Sequence, residues 1–144
     1  LAPAGAWLGI VGSDLGWSAI TEYHWYPTIF WICLGVMFWI AAFDLNYALM
    51  DVDSDRQQGI QSFPARFGEH HTLRTSVQFT LLWFACFAIA DPIDGITFLG
   101  AALLMSLINI GVILRQKSIA DFQKTFFYTS VVTGWVLLGG LMVA

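Results

Sequence analysis

Charged residues are scarce in this 144-residue chain, and their scarcity excludes most soluble folds. Only 11% of the residues are charged, whereas 58% are hydrophobic; soluble domains carry about 25% charged residues. Lys and Arg number six and form no dense basic patch, so we expect no binding of nucleic acid. The composition instead predicts an integral membrane protein whose surroundings are the lipid bilayer.

Cysteine is nearly absent as well. The two cysteines, Cys33 and Cys86, each lie inside an apolar run. Free cysteines in such runs are more often small packing residues than disulfide partners. We therefore expect packing roles and no disulfide.

The first residues lack the features of a targeting segment. The chain begins at Leu1, and the segment LAPAGAWLGIVG carries no positive charge, unlike the n-region of a signal peptide. Its apolar character is typical of the second half of a membrane helix. We therefore expect the chain to be an N-terminally truncated piece of a longer protein.

Long apolar runs separated by polar connectors predict an all-α fold, a multi-pass transmembrane helical bundle. An α-helix rises about 1.5 Å per residue, so about 20 apolar residues span the bilayer core of ~30 Å. We expect one membrane domain over residues 1–144, with about four full helices and a leading partial one. The expected helices cover residues 1–11 (the partial one), 27–55, 75–90, 96–114 and 125–143. Asn109 lies inside an apolar run and is expected to form an interhelical hydrogen bond.

All the basic residues lie in two of the connectors. One holds Arg56, Arg66 and Arg74, the other holds Arg115, Lys117 and Lys124, and the connectors 13–24 and 91–95 hold none. Basic and non-basic connectors alternate along the chain, as a multi-pass bundle requires. The positive-inside rule therefore predicts that both basic connectors face the cytoplasm.

The segment of residues 44–68, DLNYALMDVDSDRQQGIQSFPARFG, places acidic residues at the end of an apolar helix. If that helix continues to about Asp55, residues spaced three, four and four apart share one stripe, because each residue turns the helix by about 100°. The stripe consists of Asp44, Tyr47, Asp51 and Asp55. Asp53 points elsewhere. Two carboxylates about 6 Å apart repel by roughly 3 kcal/mol at an effective dielectric constant near 20, so the stripe is costly without a cation.

Carboxylates in this arrangement can bind a hard divalent cation. Mg²⁺ uses one or two carboxylates and completes its shell with water and phosphate oxygens, so the stripe is a candidate magnesium–phosphate site. A solvated acidic helix end explains the spacing equally well. An EF-hand is excluded, because Arg56 and Ser62 occupy the positions at which that loop requires Gly and Glu.

The same segment resembles the second aspartate-rich motif of the UbiA superfamily of intramembrane prenyltransferases. The shared pattern is D-x-x-Y-A-x-x-D-x-x-x-D-R-x-x-G-x-x-S-x-P-A-R-F-G. Within the superfamily, it is most similar to the 4-hydroxybenzoate polyprenyltransferase branch. The resemblance extends to the helices, which match the C-terminal half of the family's nine-helix plan. It implies a location in the bacterial inner membrane.

The resemblance implies Mg²⁺-dependent transfer of a polyprenyl group from polyprenyl diphosphate to an aromatic acceptor in ubiquinone or menaquinone biosynthesis. The implied acceptor is 4-hydroxybenzoate, although related enzymes use naphthoate, homogentisate, chlorophyllide or a glycerophosphate. By the resemblance, Asp51 and Asp55 are metal ligands. Asp44 is a third catalytic carboxylate, either a ligand or a base directed at the acceptor, and Tyr47 hydrogen-bonds the diphosphate or a carboxylate.

Three further residues of the segment are candidate diphosphate ligands. Arg56 and Arg66 carry guanidinium groups, which match phosphate with two parallel donors, although each serves equally well as a positive-inside anchor. Ser62 either contacts phosphate or caps the following segment. Gln57 stands where relatives often carry a basic residue, which weakens the case for a dibasic diphosphate clamp.

Half of the family's active site has no counterpart in the sequence. The first aspartate motif of the family, N-x-x-x-D-x-x-x-D, has no match in the chain. We therefore expect a missing N-terminal half to supply it, and the fragment alone to be inactive. Two alternatives remain open, a cation transporter or channel segment and a non-catalytic remnant. Transporter sites lie near the bilayer midplane, whereas these aspartates lie at a helix end, which favours the enzyme.

Overall fold

The computed structural model describes residues 27–91 and 96–142, and within these ranges the chain forms helices and connecting segments without a strand. The predicted all-α class is confirmed. The α-helices are α1 (Pro27–Met50), α2 (Val52–Gln58), α3 (Phe63–Phe67), α4 (Glu69–Ala90), α5 (Ile96–Leu114) and α6 (Phe122–Met142), with a 3₁₀ turn at Gln116–Ser118. The predicted partial helix 1–11, the connector 13–24 and most of the turn 91–95 lie outside the described residues.

Among the described helices, α1, α4, α5 and α6 are long and apolar enough to cross a membrane. The chain is thus an integral membrane helical bundle, as its composition predicts. At most 33% of the apolar window of any span is buried within the bundle. Large apolar faces therefore remain for lipid or for further helices to cover.

The start of α4 differs from the prediction, because the helix begins at Glu69 rather than at residue 75. The sequence predicts a connector over residues 69–74 because they are polar, and hydropathy indicates burial in the membrane but not whether a segment is helical. Gly68 precedes the helix with φ +82°, a backbone conformation that glycine adopts without strain. Its carbonyl oxygen accepts a hydrogen bond from the hydroxyl of Thr72 at 2.8 Å, which ties the first turn of α4 to that glycine.

The prediction of one helix through Asp55 is wrong at a single residue. Asp51 has φ −95° and ψ 3°, in the bridge region rather than the helical region, and it separates α1 from α2. Aspartate is a preferred N-cap residue, and Asp51 occupies that position of α2, although its side chain makes no capping hydrogen bond. The Asp55 N–H still donates to the Asp51 carbonyl oxygen at 2.9 Å. Helical hydrogen bonding therefore resumes immediately after Asp51.

The four spanning helices pack in sequence order. α1 packs most extensively on α4, followed by the α5–α6 and α4–α5 pairs, whereas α1 touches α6 at few positions. One buried cluster, around Trp83, Phe87 and Phe98, fills the space where α4 ends and α5 begins. A second, formed by Ile113, Phe122 and Phe126, lies where α5 ends and α6 begins, and Phe43 and Tyr47 of α1 pack against it. The second cluster therefore supports the end of α1 that carries the aspartates.

Two smaller predictions concern side chains inside the spans. Cys33 and Cys86 are both buried, consistent with packing roles. The side-chain amide of Asn109 on α5 donates a hydrogen bond to the hydroxyl oxygen of Thr133 on α6 at 2.8 Å. The predicted interhelical hydrogen bond is confirmed.

Candidate functional site

The three carboxylates of the predicted site lie at the connector end of α1 and in α2. Asp44 and Asp51 are exposed and Asp55 is half-buried. Asp44 is two residues from Asn46, which is buried, so it points about 200° away from it around the helix axis. Within the described residues, no hydrogen bond or ion pair engages any of the three carboxylates. Their oxygens are therefore available to a ligand.

Tyr47 packs in an aromatic group in addition to lying on the acidic edge, which is the stripe of Asp44, Asp51 and Asp55. Its ring lies 4.5 Å from that of Phe43 and 6.3 Å from that of Phe126, centroid to centroid. Phe43 stacks on Phe126 in turn at 5.3 Å and 21°. These contacts fix the ring between α1 and α6, so that the phenol is held one helical turn from Asp44 and from Asp51.

Asp53 differs from Asp44, Asp51 and Asp55 in having a charged partner. Its carboxylate lies 3.9 Å from the Arg56 guanidinium, and its side chain is 88% exposed. Both residues line a cleft of about 360 Å³ together with Glu69, Gln116 and Lys117. Glu69 and Lys117 belong to the two basic connectors, so the cleft lies between these connectors. The sequence relates the connectors only to membrane orientation, because no local pattern pairs residues that are 48 positions apart in the chain.

Arg56 and Arg66 also line a common cleft of about 380 Å³. The structure thus brings together the two arginines that are candidate diphosphate ligands. Neither Asp51 nor Asp55 lines this cleft.

Gly59 turns the chain into the loop that carries Arg66. Its φ is +71°, and its N–H and that of Ile60 donate to the carbonyl oxygens of Arg56 and Asp55 at 3.3 and 2.8 Å. This is the Schellman arrangement for ending a helix. It ends α2 at Gln58, three residues beyond the limit near Asp55 that the sequence predicts.

Ser62 occupies the N-cap position of α3, but its side chain makes no capping hydrogen bond. Its Oγ is buried and has no hydrogen-bond partner. The Ser62 carbonyl oxygen accepts the Arg66 N–H at 3.0 Å. The backbone of Ser62 therefore starts the short helix that carries Arg66, while its hydroxyl remains unused.

Asn46 is a feature of the site that sequence analysis does not single out. It is 1% exposed, and its amide Nδ2 donates to the Ala42 carbonyl oxygen at 2.7 Å and to the Ser76 Oγ of α4. An amide inside an apolar helix is the signal that could have revealed it, since such residues hydrogen-bond neighbouring helices. Asn46 connects the aspartate-bearing end of α1 to α4.

The donor set of the acidic edge fits magnesium. Within the part of the chain that the structure describes, no group of three or more His, Cys, Asp or Glu is arranged to hold a metal ion. Asp51 and Asp55, however, stand four residues apart with free carboxylates. Because Mg²⁺ takes one or two carboxylates and otherwise water and phosphate oxygens, two such groups meet the number of protein ligands that this ion requires.

The fold and the site define a class of protein, a multi-pass membrane protein with an unengaged acidic edge and an arginine-bearing loop at one end of the bundle. The sequence model of the UbiA prenyltransferase family matches residues 3–141. The chain belongs to the UbiA prenyltransferase family, as the motif at residues 44–68 predicts. This membership supports the enzyme hypothesis over the transporter hypothesis.

Proteins similar to the chain include 4-hydroxybenzoate octaprenyltransferases. The chain is 28% identical over 148 residues to those of Yersinia pseudotuberculosis and Yersinia pestis, and 27% identical to that of Yersinia enterocolitica. The matches cover 94% of this chain and 49% of each relative, so the chain spans about half the length of these curated relatives. No solved structure matches it.

Proposed function

We propose that the chain is the C-terminal part of an Mg²⁺-dependent prenyltransferase, which transfers a polyprenyl group from polyprenyl diphosphate to an aromatic acceptor. The observation that carries the proposal is the pair of unengaged carboxylates, Asp51 and Asp55, at the end of a membrane span in a chain of the UbiA family. The similarity to 4-hydroxybenzoate octaprenyltransferases supports 4-hydroxybenzoate as the acceptor and quinone biosynthesis as the pathway.

In this proposal, Asp51 and Asp55 supply carboxylate oxygens to magnesium. When bound, Mg²⁺ neutralises the negative charge of the diphosphate and thereby favours its departure. The short turn at Asp51 and the hydrogen bond from the Asp55 N–H to the Asp51 carbonyl hold the two residues one helical turn apart. Further ligands come from a first aspartate motif in the N-terminal half of the protein.

The transfer breaks the bond between the prenyl carbon and the diphosphate oxygen and forms a carbon–carbon bond to the acceptor ring. The ring carbon that is attacked must then lose its proton. Asp44, exposed and unengaged, is the residue we assign to that proton or to a third ligand position. Tyr47, held by Phe43 and Phe126, donates a hydrogen bond from its hydroxyl to the diphosphate or to a carboxylate.

The diphosphate needs cationic partners besides magnesium. Arg56 and Arg66 line one cleft and can present parallel N–H donors to phosphate oxygens. Arg66 is exposed, and its guanidinium lies 5.3 Å from the centre of the Phe67 ring. Ser62, whose hydroxyl has no partner, supplies a further donor from the same loop. In this proposal the diphosphate contacts both the arginine cleft and the carboxylates, which do not line that cleft.

The orientation in the membrane follows from charge. Both basic connectors lie at the end of the bundle that carries the aspartates, and the positive-inside rule places such connectors in the cytoplasm. We propose that the protein resides in a bacterial inner membrane with the aspartate motif facing the cytoplasm. A water-soluble leaving group such as diphosphate is then released on that side.

The test uses the full-length protein, with the reading frame extended upstream, in membranes supplied with Mg²⁺, polyprenyl diphosphate and 4-hydroxybenzoate. We expect Asp51→Ala and Asp55→Ala each to lower the transfer rate by about 100-fold or more, and EDTA to abolish it. Asp53→Ala is the matched control, because Asp53 is exposed and lies outside the stripe; it should retain the rate within about twofold. Transfer that survives in both the Asp51 and the Asp55 variants would refute the proposed site.

A further inference from the structure

A buried hydrogen-bond network connects α1 to α4 directly behind the acidic edge. The amide Nδ2 of Asn46 donates to the Ala42 carbonyl oxygen and to the Ser76 Oγ, and the Ser76 hydroxyl donates to the same carbonyl oxygen at 3.1 Å. Asn46 is 1%, Ala42 3% and Ser76 0% exposed. Such a network is directional, so unlike apolar packing it specifies one rotation and one height of α1 against α4.

The network does not fully satisfy Asn46. Its Oδ1 is buried without a hydrogen-bond partner, and a buried, unpaired polar atom lowers stability. An apolar side chain of similar size would avoid that cost at this position. Stability alone therefore does not explain an asparagine at this position. Its contribution is the directional hydrogen bond, which specifies how α1 is placed against α4.

The same device recurs at a second place that carries no predicted site residue. Asn109 on α5 donates through its Nδ2 to the carbonyl oxygen of Met105, four residues earlier, and to the Thr133 hydroxyl of α6, both at 2.8 Å. Asn109 is 4% exposed and Thr133 is 0% exposed. The two networks match in chemistry and burial, so that Asn109 serves as an internal reference for Asn46.

The two networks differ in what lies on the opposite face of the helix. Asp44 is two residues from Asn46 within α1, which places its carboxylate about 200° around the axis, and Asp51 directly follows the last residue of α1. A carboxylate at about 6 Å from the axis moves by about 1 Å when the helix turns by 10°. Fixing Asn46 against α4 therefore fixes the direction in which Asp44 points and the position at which Asp51 leaves the helix.

We propose that Asn46 is a positioning residue of the acidic edge, acting through its hydrogen bond to Ser76 to set the rotation of α1 and so the placement of Asp44 and Asp51. The inference rests on the proposed function of that edge. It assigns Asn46 no contact with metal or substrate. Groups that hydrogen-bond metal ligands directly change metal affinity or activity by about 10–100-fold when they are removed, and we expect the lower end of that range for an effect transmitted through the rotation of α1.

The test compares Asn46→Leu, Ser76→Ala, the double variant and the reference variant Asn109→Leu in the full-length protein. For each, we would measure the transfer rate as a function of Mg²⁺ concentration, together with the thermal stability in detergent. We expect Asn46→Leu and Ser76→Ala to raise the half-saturating Mg²⁺ concentration, or to lower kcat, by about 10-fold or more. Asn109→Leu should change the thermal stability about as much as Asn46→Leu does, in either direction, and leave the Mg²⁺ dependence within about twofold.

The double variant distinguishes an effect of the shared Asn46–Ser76 hydrogen bond from separate effects of the two substitutions. If Asn46 and Ser76 act through one bond, the double variant should lose little more activity than Asn46→Leu alone. The proposal would be overturned if the activity losses of the two single variants multiplied in the double variant. It would also be overturned if Asn46→Leu and Asn109→Leu changed the Mg²⁺ dependence equally. If Asn46→Leu does not fold, Ser76→Ala decides by the same comparison, because it leaves the Asn46 amide paired with the Ala42 carbonyl. If the proposed function itself is wrong, the wild-type protein will show no prenyl transfer, which distinguishes that outcome from a failure of the positioning role.

Discussion

The ammonium group of Lys117 lies 2.8 Å from a carboxylate oxygen of Glu69, so the link between α5 and α6 contacts the first residue of α4. The two side chains are 79% and 43% exposed, and an exposed pair of this kind contributes about 1 kcal/mol or less. Its importance is geometric. It shows that the two basic connectors meet at one end of the bundle, the end at which the aspartates lie.

That arrangement predicts the side from which each end of the bundle can be labelled. Gln57→Cys places a thiol in exposed α2, and Ile96→Cys places one at the opposite end, at a residue that is 88% exposed. The native thiols of Cys33 and Cys86 are buried and should remain silent. With a membrane-impermeant maleimide, we expect Gln57→Cys to react in inverted vesicles and Ile96→Cys to react in spheroplasts. The reverse pattern would contradict the cytoplasmic orientation.

The arginine cleft predicts a change in substrate affinity. Arg66→Ala and Arg56→Ala each remove a bidentate phosphate partner, so we expect the KM for polyprenyl diphosphate to rise by about tenfold or more, because a charge-assisted hydrogen bond contributes about 1.5–3 kcal/mol. Lysine at either position should restore only part of the affinity, since it lacks the planar pair of donors. Arg74→Ala, a change outside this cleft, is the control. Equal KM values for all three alanine variants would show that these arginines are only topological anchors.

The aromatic contact between α1 and α6 predicts a loss of stability. Phe126 is 2% exposed and stacks on Phe43 and Phe122, both at 5.3 Å. Phe126→Ala should lower the free energy of unfolding by roughly 2 kcal/mol, less than in a soluble core because lipid already solvates apolar surface. The adjacent Phe127 is 49% exposed, and Phe127→Ala should change it by less than about 0.5 kcal/mol. Unfolding in mixed detergent micelles measures both, and equal losses would refute the assigned packing.

A close approach of α1 to α4 predicts an effect of adding one methyl group. A Cβ at Gly35 would lie 2.5 Å from a ring carbon of Phe87, so Gly35→Ala should destabilise the protein by about 1–3 kcal/mol through overpacking. At Gly100 in α5 an added methyl group would point into open space, and Gly100→Ala should be neutral or stabilising by up to about 1 kcal/mol. Thermal unfolding in detergent compares the two variants. A Gly35→Ala protein as stable as wild type would mean that the two helices stand farther apart.

Much of the fold could be predicted from the sequence, because its apolar runs are long and cleanly bounded. The helix expected over residues 96–114 has those limits in the structure, and the all-α membrane class follows from composition. Two boundaries could not be predicted. Residues 69–74 are polar and helical, and Asp51 interrupts a segment whose residues would all tolerate a helix. Both depend on backbone geometry at a single residue, which hydropathy does not report.

The site was predictable as a list of residues but not as an arrangement. The motif identifies the three carboxylates and the two arginines, and the structure shows that the arginines share a cleft that the carboxylates do not line. Helical spacing assigns Tyr47 to the acidic stripe, whereas its ring also packs against α6. The role of Asn46 could not be predicted from helical spacing, because its partner, Ser76, lies 30 residues away in the chain.

The hydroxyl groups along α4 have a consequence for biosynthesis. Thr72 and Thr80 donate to carbonyl oxygens of their own helix, at Gly68 and Ser76, so α4 can enter the translocon without exposing an unpaired hydroxyl at those positions. The amide of Asn46 differs, since one of its two partners belongs to α4. The aspartate-bearing end of α1 therefore gains this hydrogen bond only after α4 has emerged, and until then the Asn46 amide has only the Ala42 carbonyl oxygen of its own helix as a partner.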